Sequence, residues 1–195
     1  MAITINGTTG VSAVASGATI NTPTISGGTL SSPTINTATI ATPTITNATI
    51  TSATTAAPAF SAYSNSAQTI NGATFTKIQF NTELFDTNSN YDSSTNYRFT
   101  PTVAGYYQVN TTVNFGTARS LYIVSIYKNG SRGTGGETVF AGSLSASTSL
   151  NCQNIVSMNG TTDYLEIYAY TDSGSNAINT GTNNTFFSAA MIRSA

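Results

Sequence analysis

Between residues 18 and 50 an aliphatic side chain returns at every fifth position: Ile20, Ile25, Leu30, Ile35, Ile40, Ile45 and Ile50. Thr precedes each of them, from Thr19 to Thr49. The position before the Thr alternates between a small residue and proline: Ala18, Pro23, Gly28, Pro33, Ala38, Pro43 and Ala48. An α-helix advances about 100° per residue, so positions five apart drift by about 140° and make no stripe. Interior prolines break such a helix in any case. Collagen needs Gly at every third position, which this segment lacks. In a straight strand an odd spacing sends successive side chains to opposite faces. A bend in each unit, at the Pro or Gly/Ala position, returns every aliphatic residue to one side. Thr-Ile pairs are strong strand formers, so the repeat predicts a β-helical winding.

One chain does not complete such a structure. A single large apolar side chain in every five residues buries too little surface to offset the entropy of ordering the rest. Solenoids also need several stacked coils before an interior closes. Three chains wound about a common axis solve both problems, each supplying one aliphatic residue per layer. The reading is a trimeric fibrous stalk over residues 18–57, with the seven aliphatic positions at the axis and each preceding Thr outward. The alternative, a flexible Thr/Ser-rich linker, gives no reason to hold isoleucine in strict register.

Charge divides the chain at nearly the same place. The first charged side chain is Lys77, and all thirteen charges, six basic and seven acidic, fall between Lys77 and Arg193. Charged residues make up 7% of the 195, against roughly 25% in average soluble domains. The balance excludes a nucleic-acid binder that works by phosphate neutralisation, which needs a basic stripe. There is no histidine, hence neither the commonest general base nor the commonest metal ligand. The single Cys152 excludes a disulfide framework and a cysteine-cluster zinc site, and reads as a buried small hydrophobe. Residues 1–10 show neither the basic start nor the apolar run of a signal peptide. No stretch approaches the ~18 apolar residues of a membrane span. A soluble protein made in a cytoplasm, without membrane insertion, is therefore expected. The glycosylation sequons at Asn6, Asn47 and Asn159 are then chance matches in a Thr/Asn-rich chain.

From Pro58 to Ala195 the cues are those of an all-β fold. Tyr107, Val109, Thr111, Val113 and Phe115 alternate with Gln108, Asn110, Thr112 and Asn114, the period of a strand with one buried face. Leu121–Tyr127 runs into Lys128-Asn129-Gly130, a strong hairpin signal. A second Asn159-Gly160 separates the strand-like runs 150–158 and 164–170, and a last strand is read over 185–192. No segment reads as an amphipathic helix. Eight to ten short strands imply a sandwich or jelly roll, with most of the tyrosines in its core.

Particular residues carry a resemblance. Pro58-Ala-Phe60-Ser-Ala62, Tyr91-Asp92, Tyr97-Arg-Phe99-Thr-Pro101, Ala104-Gly105-Tyr-Tyr107, Asp163-Tyr-Leu-Glu-Ile167 and Phe187–Ile192 occur in that order. Together they resemble the globular head of the complement 1q and tumour-necrosis-factor superfamily over residues 58–195. Phe60, Asp92, Phe99, Gly105 and Tyr107 match most specifically. The resemblance implies a ten-stranded jelly roll that trimerises. Heads of this type on short Thr/Ile-rich repeats resemble the appendages of tailed bacteriophages: tail fibres, head fibres and capsid decoration proteins.

Little chemistry is expected. Asp86-Thr-Asn88-Ser-Asn90-Tyr-Asp92 alternates oxygen ligands, but an EF-hand needs Gly where Tyr91 stands and Glu where Tyr97 stands. Glu83 and Asp86, three apart, are accompanied by no nucleophile or base. The sequence thus indicates no enzyme, no cofactor and no metal site, and marks no ligand-binding residues. The function expected is a trimeric virion appendage at the particle surface, a head fibre or capsid decoration. Residues 1–17 would anchor it to a capsid or tail protein, and the head would meet a host glycan or protein. A tail fibre is the alternative, though tail fibres begin with sizeable adaptor domains. A cellular adhesin or secreted ligand would need a signal peptide. A polysaccharide-degrading spike would need clustered acids on a longer β-helix.

Overall fold

The computed structural model describes residues 57–142 and 147–195, all within one unit of the chain, Ser52–Ala195. The anchor peptide 1–17, the stalk to residue 56 with Ile20, Ile25, Leu30, Ile35, Ile40, Ile45 and Ile50, and the sequons at Asn6 and Asn47 lie outside the described residues.

The described residues form thirteen strands and no helix: β1 Ala59–Tyr63, β2 Thr69–Asn71, β3 Thr76–Lys77, β4 Thr82–Asp86, β5 Tyr91–Asp92, β6 Arg98–Phe99, β7 Gly105–Phe115, β8 Leu121–Lys128, β9 Ser131–Ala141, β10 Thr148–Met158, β11 Leu165–Thr171, β12 Ser175–Ala177 and β13 Phe186–Ser194. The count exceeds the eight to ten expected because β2, β3, β5, β6 and β12 have only two or three residues each. Strands that short carry no readable alternation. One sheet has the order β10-β7-β13-β1-β4, the other β5-β6-β11-β8-β9 with β3 also on β11, and β2 pairs β12. Every pairing among them is antiparallel.

The core lies between the sheets because the alternation of each strand puts one row inward. On β7 that row is Tyr107, Val109, Thr111, Val113 and Phe115, all buried, as the sequence period predicts. Tyr122, Val124 and Ile126 of β8 and Leu165, Ile167 and Ala169 of β11 face it from the other sheet, also buried. Phe115 and Tyr122 meet across the gap with ring centroids 4.7 Å apart. Cys152 is buried in β10.

The two Asn-Gly pairs do different work. Asn129 (φ 54°) and Gly130 (φ 75°) both occupy the left-handed region, the conformation of a tight two-residue hairpin, and β8 pairs directly with β9. Asn159-Gly160 instead joins β10 of one sheet to β11 of the other. There the Asn159 side-chain oxygen accepts the N–H groups of Thr161, Thr162 and Asp163 at 2.9, 3.0 and 3.0 Å, turning the chain between layers.

The tyrosines depart from expectation. Of the ten, only Tyr91, Tyr107, Tyr122 and Tyr127 are buried. Tyr63, Tyr97, Tyr164, Tyr168 and Tyr170 are half-buried and Tyr106 is exposed. A hydroxyl on an amphipathic ring lets tyrosine cover the outside of a sheet as readily as fill its inside.

Candidate functional site

The residues that carry the sequence resemblance gather into an aromatic cluster between the sheets. Phe60 of β1 stacks on Tyr91 of β5 and on Phe99 of β6, with centroids 4.6 Å away in each case. Phe187 of β13 meets Phe60 edge-on at 4.8 Å, and Phe99 meets Tyr107 of β7 edge-on at 5.6 Å. The polar tips find partners: the Tyr107 hydroxyl donates to the Val103 carbonyl at 2.7 Å, and that of Tyr91 donates to the Phe80 carbonyl at 3.0 Å. Burial pushes the Tyr107 phenol up to about 12, and burial above all raises Tyr91 further. These rings pin the two sheets to each other.

Asp92 and Gly105 act through the backbone. The Asp92 carboxylate accepts the N–H groups of Ser94, Thr95 and Asn96 at 3.0, 2.9 and 3.0 Å, and the Asn96 amide at 2.7 Å. Those backbone hydrogen bonds, from Thr95 and Ser94 first, hold its pKa well below the usual carboxylate range. Gly105 opens β7 where β13 crosses close: a Cβ there would stand 2.4 Å from the Arg193 carbonyl oxygen.

The acidic loop is committed to its own turns. Asp86 accepts the N–H of Asn88 at 3.2 Å and that of Tyr91 at 2.7 Å, while Glu83 accepts the Ser93 hydroxyl at 2.6 Å. Among the described residues no three His, Cys, Asp or Glu side chains gather as a metal would need. No helix among them is long and apolar enough to cross a membrane.

The two outer faces differ sharply in chemistry. Strands β1, β7 and β10 contain no charged residue, and β13 contains only Arg193. Their outward side chains form an amide and hydroxyl ladder, with Thr112 donating to Asn151 at 2.7 Å and Asn114 to Ser149 at 2.7 Å. At one end this ladder gives way to exposed Tyr106, Ile155 and Ile192. The other sheet carries seven of the thirteen charges on its strands. Lys77 pairs with Glu166 at 2.8 Å, and Arg132 grips Glu137 through two bonds of 2.8 and 3.0 Å. Where β8 meets its hairpin, Lys128 pairs with Asp163 at 2.8 Å. Aromatic rings lie among these charges: Tyr127 and Tyr168 stack at 4.0 Å, and the Arg132 guanidinium sits 4.2 Å over Phe75. Burial, with the Glu166 charge adding to it, pushes the Tyr168 phenol up to about 12.

The architecture has known counterparts. It is similar to the globular domain of zebrafish complement 1qA protein, at 17% identity and a TM-score of 0.54 over 71% of this chain and 99% of that one. The fold is the complement 1q and tumour-necrosis-factor jelly roll. Murine APRIL overlays this jelly-roll head with a TM-score of 0.52 and 10% identity, over 70% of this chain and 99% of its own. The vertex protein P5 of PRD1 is 14% identical with a TM-score of 0.48, over 69% and 96% of the two chains. No family model matches the sequence, and no curated protein does.

Sequence reasoning missed the exposed apolar group of the jelly-roll head. Tyr106, Ile155 and Ile192 are far apart in the chain and come together only because β7 is flanked by β10 and β13. Read singly, Ile155 beside Val156 and Ile192 beside Met191 pass for core. The one local signal is the alternation of β10, which puts Ile155 in the outward row with Asn151 and Gln153 and leaves Val156 in the inward one.

Proposed function

We propose that this chain is a non-enzymatic structural protein of a virus particle: a homotrimeric head fibre or capsid decoration of a tailed bacteriophage that displays a binding head. The observation that carries the reading is the pairing of a complement 1q-type jelly roll with a preceding segment that repeats Thr-Ile or Thr-Leu seven times and holds no charge before Lys77. The repeat needs three chains to bury its aliphatic column, and trimers are the habit of the head it resembles. Strands β1, β7 and β10 of the five-stranded sheet carry no charge, which supports the same state, since the buried centre of an interface is depleted of charge. Forty stalk residues reach at most about 130 Å when fully extended, and less when wound, so the stalk holds the head away from its support. In this reading residues 1–17 order on a capsid or tail protein, as uncharged segments do when they add strands to a sheet edge. The half-buried tyrosines and paired charges of the six-stranded sheet face outward, toward a host glycan or protein.

The test is deletion. A chain lacking residues 2–17 should remain a soluble trimer and no longer decorate particles. Particles that carry the truncated protein at normal occupancy would place the anchor elsewhere.

A further inference from the structure

The outer face of the six-stranded sheet carries a row of aromatic rings edged with cations. The inward residues of β11 are Leu165, Ile167 and Ala169, so its alternation turns Glu166, Tyr168 and Tyr170 outward, with Tyr164 just before them. Tyr168 stacks on Tyr127 of β8 with centroids 4.0 Å apart. Phe75 lies 5.0 Å from Tyr170 and 6.1 Å from Tyr127. Of these five rings only Tyr127 is buried; the other four are half-buried and keep part of their surface in solvent. An arginine covers a ring on each side of the row. The Arg98 guanidinium of β6 sits 4.6 Å over Tyr164, and that of Arg132 on β9, across the sheet order, sits 4.2 Å over Phe75.

The charges of this face are arranged with the bases outermost. The Lys77 side chain is 32% exposed against 7% for Glu166, and that of Arg132 is 48% exposed against 24% for Glu137. Arg98 has no carboxylate partner among the described residues. Its register partner across β5 and β6 is Asp92, but that carboxylate is spent on the N–H groups of Ser94, Thr95 and Asn96. Arg98 also lines a depression of about 280 Å³ walled by the amides and hydroxyls of Asn90, Asn96, Thr100 and Thr102. The Asn96 carbonyl accepts the Lys77 ammonium at 3.1 Å, so the depression and the ring row adjoin.

We propose that this face binds an acidic saccharide chain. The carboxylate of a uronic-acid unit meets the planar fork of Arg98 in the depression, and the sugar hydroxyls meet its amide and hydroxyl walls. Neighbouring sugar rings lay their apolar faces on Tyr164, Tyr168 and Phe75, whose amphipathic rings suit a ligand that is partly wet. Lys77 and Arg132, more exposed than the acids that hold them, draw in the rest of the chain. A peptide finds less here: β8 and β11 are paired on both sides, so the row lies over closed ladders and offers no backbone edge for an added strand. The inference rests on the reading of the head as a displayed binding module and names its ligand class and its residues. Three heads on one stalk act together, so a modest affinity at each face suffices.

The experiment uses the full chain on biosensor surfaces coated with polygalacturonate, neutral dextran or poly-glutamate. The chain should bind polygalacturonate and neither of the others. R98Q should bind it at least roughly tenfold more weakly, the loss expected when a charge-assisted hydrogen bond is removed, and R98K, which keeps the charge without the fork, should recover only part. R193Q, which removes an arginine from the other sheet, should bind as the parent does. Melting temperatures within a few degrees of the parent show that each variant is folded. Equal weakening by R98Q and R193Q would mean attraction to overall charge and would overturn the site. Binding to poly-glutamate as strong as to polygalacturonate would overturn the saccharide and leave a displayed head that meets protein. Binding to none of the three by a chain that light scattering shows to be a trimer would overturn the proposal and leave the appendage standing. A monomer that binds polygalacturonate through Arg98 would do the reverse.

Discussion

Replacing Phe60 by alanine should be the most damaging single truncation in the head. The ring is 1% exposed and has three aromatic neighbours, Tyr91 and Phe99 at 4.6 Å and Phe187 at 4.8 Å. Truncating a buried phenylalanine costs about 3–5 kcal/mol, because the lost transfer energy is joined by a cavity that closes only in part. Each aromatic pair adds about 0.5–1.5 kcal/mol beyond the buried area, which places this site in the upper half of the range. At about 3–4 °C per kcal/mol for a domain of this size, the melting temperature should fall by about 15 °C. Phe60→Leu keeps most of the volume and should cost about 1–2 kcal/mol. Calorimetry at one fixed protomer concentration measures both, since melting of an oligomer shifts with concentration. A fall of less than about 4 °C for the alanine variant would mean that Phe60 does not hold the two sheets together.

Three other outcomes follow from named residues. Gly105→Ala puts a methyl group 2.4 Å from the Arg193 carbonyl oxygen, so the end of β13 must move; faster amide exchange at residues 191–194 checks this. The Asp92 pKa is lowered in the folded state, so its contribution is present above the unfolded value near 3.9 and is lost as the pH falls through the folded one. Melting temperature should therefore decline as the pH is lowered from about 4, and D92N should flatten that decline; an unchanged slope would show that the turn does not depend on the carboxylate. Ile35→Asp in the repeat would place three carboxylates at a shared axis at a cost of several kcal/mol, and a variant that melts like the parent would remove the aliphatic column from the stalk core.

What could be read from the sequence was whatever repeats over enough residues to show a period. The inward row of β7 was legible because five apolar or β-branched positions alternate without a break, and the β8–β9 hairpin because Asn129-Gly130 suits a turn needing φ > 0 twice. Phe60, Phe99 and Tyr107 stood out by their order in the chain, while their stacking is a product of layer packing. The second Asn-Gly pair looked identical to the first. It differs because Asn159 caps three successive N–H groups and sends the chain into the other sheet, which no local signal announces. The exposed apolar group was illegible for a related reason: residues 106, 155 and 192 are distant in sequence, and an isoleucine on an outer face is spelled like one in the core.

The claim on which the rest depends is that this chain assembles as three. Native mass spectrometry of the full-length protein at micromolar concentration tests it directly. The account requires one species near 60 kDa, three times the 20.1 kDa of the chain. A species at the single-chain mass would contradict the shared stalk and the display of a trimer on a particle.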